Sequence, residues 1–144
     1  MRTLTKFSFL ILATVSMFCA SRHNEPADTE KWTELDSFHS ILADVYHPLK
    51  DSGNLQPALE RIEELASEAE KWSSAPLPKR VDSAVMKDKL EKLKGDTRAL
   101  ADAVKTGVAE SEVAKGLTEI HELFHGIMEA WEGGEHDEGH HDKH

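Results

Sequence analysis

The chain has one cysteine, Cys19, so no disulfide can close within it, and no C-x-x-C-H is present to attach a c-type haem covalently. Iron–sulfur clusters held by several cysteines are excluded for the same reason. Positive charge is also short. Against 27 Asp+Glu stand 17 Lys+Arg, a formal charge of −10 that repels a phosphate backbone, so nucleic acid is not an expected partner. No apolar run approaches the roughly 20 residues of a membrane-spanning helix. Stretches that alternate with period two are missing too, which argues against strands. Histidine, in contrast, is plentiful, with nine in 144 residues.

Residues 1–18 read as a signal peptide, with Arg2 and Lys6 as the basic start and Phe7 to Val15 as a short apolar stretch. Cys19-Ala-Ser21 fits a small-x-small cleavage site. Ser16-Met-Phe-Cys19 half matches the motif that precedes a lipidated cysteine, with Phe18 where a small residue is usual. Two outcomes therefore stay open: simple cleavage near residues 18–21, or anchoring to a membrane surface through lipidated Cys19. Either places the mature chain outside the cytoplasm, in a periplasm or lipid-anchored. Residues 19–27 form a polar tether.

From 28 to 132 four segments repeat apolar residues at spacings of three and four. The first, about Asp28 to Asp51, aligns Trp32, Leu35, His39, Leu42, Tyr46 and Leu49, so one core position is a histidine; Pro48 should end or kink it and Gly53 stop it. The second starts at Asn54 as N-cap and carries Leu55, Leu59, Ile62, Leu65, Ala69 and Trp72. The third, capped by Asp82 or Ser83, carries Met86, Leu90, Leu93, Thr97, Leu100 and Val104. The fourth, from about Ser111, carries Val113, Leu117, Ile120, Phe124, Ile127 and Trp131. Four amphipathic helices joined by short links bury their stripes together as an all-α, up-down-up-down antiparallel four-helix bundle. Residues 133–144 hold four histidines and no apolar anchor, and are expected to be a disordered, acidic tail.

Four histidines fall on helices: His39 and His47 on the first, His121 and His125 on the last. In this topology the first and last helices are antiparallel neighbours, which sets His39 level with a point midway between His121 and His125. Those two share a face, about 6 Å apart along the axis at 1.5 Å per residue. Three imidazoles are thus expected to converge on one ion, with Met128 a soft ligand one turn further on. His47 lies about 12 Å away in this register. Neutral imidazole suits Zn, Cu or Ni, and the tail histidines His136, His140, His141 and His144 suit weaker, exchangeable binding. The competing reading is a structural or adaptor bundle with no cofactor, its histidines core or boundary residues.

His121-Glu-Leu-Phe-His125 also has the H-E-x-x-H form of zinc hydrolases, with Glu122 as base, but no sheet edge is expected to align a substrate, so the match is read as coincidental and no reaction is legible in the sequence. Trp32, Trp72 and Trp131 fall on core stripes near helix ends and are expected to act as bundle caps.

In its export signal, its size, the Pro-containing link after the second helix and the Phe124-His125 pair on the last helix, the chain resembles the periplasmic cytochrome b562 and cytochrome c′ group. The resemblance implies a non-covalent b-type haem with His125 as axial ligand and a role in electron transfer. The methionine that completes the ligation in cytochrome b562 has no match between residues 28 and 50, so His39 would take its place.

Overall fold

The computed structural model describes residues 31–133; the signal peptide, the tether and the tail with His136, His140, His141 and His144 lie outside the described residues. Helix α1 spans Thr33–Ser52, α2 Gln56–Ser74, α3 Ala84–Lys105 and α4 Glu110–Gly133, with a single 3-10 turn, Lys79–Val81, before α3. There is no strand among the described residues. Consecutive helices pack side by side and α4 closes the ring against α1, which makes the expected four-helix bundle. None of these helices is long and apolar enough to cross a membrane.

The helix ends follow local chemistry. Gly53 takes a left-handed conformation, φ 70°, so its N–H turns back to Leu49 O at 2.8 Å and ends α1. Ser83 caps α3, its Oγ accepting from Met86 N at 3.1 Å. Asn54 Oδ1 accepts from Gln56 N, although Leu55 occupies the cap position of α2.

One expectation for α1 is corrected: the helix begins at Thr33 rather than near Asp28, with Trp32 at its cap. Its other end is as expected, for it runs through Pro48 to Ser52 and stops at Gly53, buried Val45 and partly buried Leu49 holding the last turns to the core despite the lost hydrogen bond.

The core confirms the stripes of α3 and α4 closely: Met86, Leu90, Leu93, Thr97 and Leu100 are buried, as are Val113, Leu117, Ile120, Phe124 and Ile127. Thr97 satisfies its hydroxyl by donating to Leu93 O and Lys94 O. In α1 the buried stripe is Leu35, Phe38, Leu42 and Val45. His39 is therefore not a core residue but exposed, and Tyr46 is only partly buried. Phe38 and His39 compete for one position, and burying a phenyl ring gains what burying an imidazole would forfeit in lost hydration. The charged runs are solvated faces, as in the Lys92–Asp96 pair at 2.6 Å.

At one end of the bundle Trp72 meets Trp32 edge-on at 5.2 Å, and Trp131 lies against Trp32 at 5.4 Å. Arg80 sits over the Trp131 ring at 4.0 Å. The three tryptophans cap the bundle as their positions near helix ends suggested.

Candidate metal centre

The seam between α1 and α4 is filled by rings. His39 stacks on Phe124, centroids 5.0 Å apart, while Tyr46 stacks on His121 at 3.8 Å with the planes 18° from parallel. Phe38 also meets Phe124, at 5.7 Å, so the antiparallel register between the helices matches the sequence reading to within a turn. His39 and Tyr46 thus lie stacked on α4 rings, whereas Phe38 meets Phe124 tilted by 33°.

His121 and His125 are half-buried, and their Nε2 atoms face one another at 3.1 Å. Without an ion, one ring donates Nε2–H and the other accepts, which requires opposite tautomers. With an ion, two imidazole nitrogens at about 2.0–2.1 Å from one metal lie about 3–3.4 Å apart for bond angles near 90–110°. The pair therefore stands at chelating distance before any ion arrives.

Burial pushes the His121 imidazole down to about 4, helped by the positive charges of His125, Lys50, His47 and His39. His121 is consequently neutral, the form that offers a lone pair to a metal, throughout the physiological range. A folding consequence follows. An unfolded histidine takes up its proton near 6.5, whereas folded His121 resists until about 4, so the unfolded state binds more protons below pH 6.5 and stability falls as pH falls. Discounting for solvent at the half-exposed ring, metal-free protein should lose about 1 kcal/mol between pH 7 and pH 5. Urea unfolding in EDTA measures this, and His121→Asn should flatten that part of the profile. An unchanged slope in the variant would place the burden elsewhere.

The expected convergence of three imidazoles is reduced to two. Among the described residues no three His, Cys, Asp or Glu side chains are grouped to hold an ion. His39 fails to join because Phe38 takes the core position and turns it outward onto Phe124. His47 is exposed, yet it acts on His121 more strongly than His39 does, since its neighbour Tyr46 is level with His121. Glu122, the base of the H-E-x-x-H form, is exposed. A cavity of about 450 Å³ opens at the α2–α3 turn and another of about 290 Å³ along α3–α4, and histidines line neither. Tyr46, stacked on His121, and Lys50, whose charge acts on it, are neighbours of the pair that the sequence reading missed. The signal was available in the register, which sets Tyr46 opposite His121, but Tyr46 also fitted an apolar stripe.

A haem held between the helices does not fit this packing. The rings of Phe38, Trp72 and Phe124 fill the space it would need, within 5.4–6.2 Å of one another, and His39 faces outward.

No protein-family model, curated protein or solved structure matches this chain. The likeness to the cytochrome b562 group thus stands on pattern alone.

Proposed function

We propose that this chain is an exported four-helix bundle that binds a transition metal ion through His121 and His125 and serves in metal binding or handling. The observation that carries this reading is the 3.1 Å between the two Nε2 atoms on one half-buried helix face. Supporting it, His121 is held neutral by its surroundings, and Tyr46 restrains its ring. The tail histidines His136, His140, His141 and His144 supply further, weaker ligands in the same chain.

Calorimetry and elemental analysis on the mature chain, with His136, His140, His141 and His144 each changed to Asn, test the reading. One equivalent of Zn(II), Cu(II) or Ni(II) should bind, and His121→Ala should remove it. Failure of all three ions to bind, or binding indifferent to His121→Ala, would overturn the proposal. A Soret band on adding hemin, lost with His125→Ala, would replace the ion by haem.

A further inference from the structure

Two imidazole nitrogens are an incomplete set for zinc, which is held by four ligands in closed sites and by three protein ligands plus water in open ones. Among the described residues no further His, Cys, Asp or Glu completes the set. A thioether stands on the same stripe. Met128 is seven residues after His121, which at 3.6 residues per turn returns it to within about 20° of His121 around the helix. It is three residues, about 4.5 Å of rise, beyond His125. Helical side chains lean toward the N-terminus, the direction in which His125 lies from Met128, and an unbranched thioether chain is adaptable enough to reach a shared ion from there. Met128 is half-buried against the core.

The local charge favours a low-valent ion. The charges that act on His121 most strongly are those of His125 on its own helix and of Lys50, His47 and His39 across the seam on α1. Glu122 and Glu129, the nearest acids along α4, are exposed. Lys50 carries a standing positive charge, and at any given distance a divalent ion meets twice the repulsion that a monovalent one meets.

We propose that His121, His125 and Met128 form a cuprous-ion site, two borderline nitrogens and one soft sulfur on a single face of α4. Thioether ligation selects Cu(I) over zinc and nickel, which prefer nitrogen, oxygen or thiolate. The inference rests on the His-pair reading above and names its ion.

The test uses the mature chain with the four tail histidines changed to Asn, kept anaerobic, with Cu(I) partitioned against bathocuproine disulfonate. Met128→Leu preserves volume and should fold normally, which circular dichroism checks. It should weaken Cu(I) binding by about tenfold or more, the scale on which altered metal surroundings act, and leave Zn(II) and Ni(II) binding unchanged. X-ray absorption on the Cu(I) form should show a sulfur neighbour that disappears in Met128→Leu. If Zn(II) or Cu(II) binds and is lost with His121→Ala while Met128→Leu leaves Cu(I) affinity and its spectrum unchanged, the pair is a metal site but not a cuprous one. If neither copper nor zinc depends on His121, the reading of the pair itself fails.

Discussion

Phe124→Ala is expected to destabilise the protein by about 3–5 kcal/mol, the cost of emptying a large aromatic position in a packed core. Phe124 is fully buried and is the ring on which the α1–α4 seam closes: Phe38 lies 5.7 Å away, Trp72 6.2 Å, and His39 stacks on it at 5.0 Å. Removing it opens a cavity between three rings that cannot all move inward together. His39→Ala, by contrast, should change stability by no more than about 0.5 kcal/mol, because the side chain is exposed. Urea unfolding of the two variants checks this. Comparable losses from both would mean that His39, not Phe38, faces the core.

The second large effect concerns affinity. His125→Ala should weaken binding of the first ion by about 100-fold or more, since a chelate reduced to one nitrogen loses the high effective concentration of the second. His121→Ala should match it, for the two nitrogens act as one unit across 3.1 Å. His47→Ala should leave affinity nearly unchanged, because His47 is exposed and reaches His121 only through its charge. Isothermal titration on the three variants separates these outcomes.

Most of the fold could be read from periodicity because α3 and α4 each offer a single apolar stripe, and burial follows it from Met86 to Leu100 and from Val113 to Ile127. Helix α1 offers two overlapping stripes that share Leu35 and Leu42 and differ by one residue at Phe38 or His39 and at Val45 or Tyr46. Spacing alone cannot choose between them; the energetics of burying phenyl against imidazole decides. The i, i+4 relation of His121 and His125 was legible because helix geometry fixes it. The rotation of His39 out of the set, the Tyr46 ring over His121 and the influence of Lys50 arise only when two helices are brought together.

Ring-nitrogen NMR of the mature chain with its natural tail, followed while Cu(I) or Zn(II) is added below one equivalent, tests the metal centre most directly. The His121 and His125 signals should respond first and together, with His136, His140, His141 and His144 following only after that site fills. Early shifts confined to the tail, with His121 and His125 unmoved, would contradict a metal centre in the bundle and make the protein a rigid carrier of a metal-binding tail.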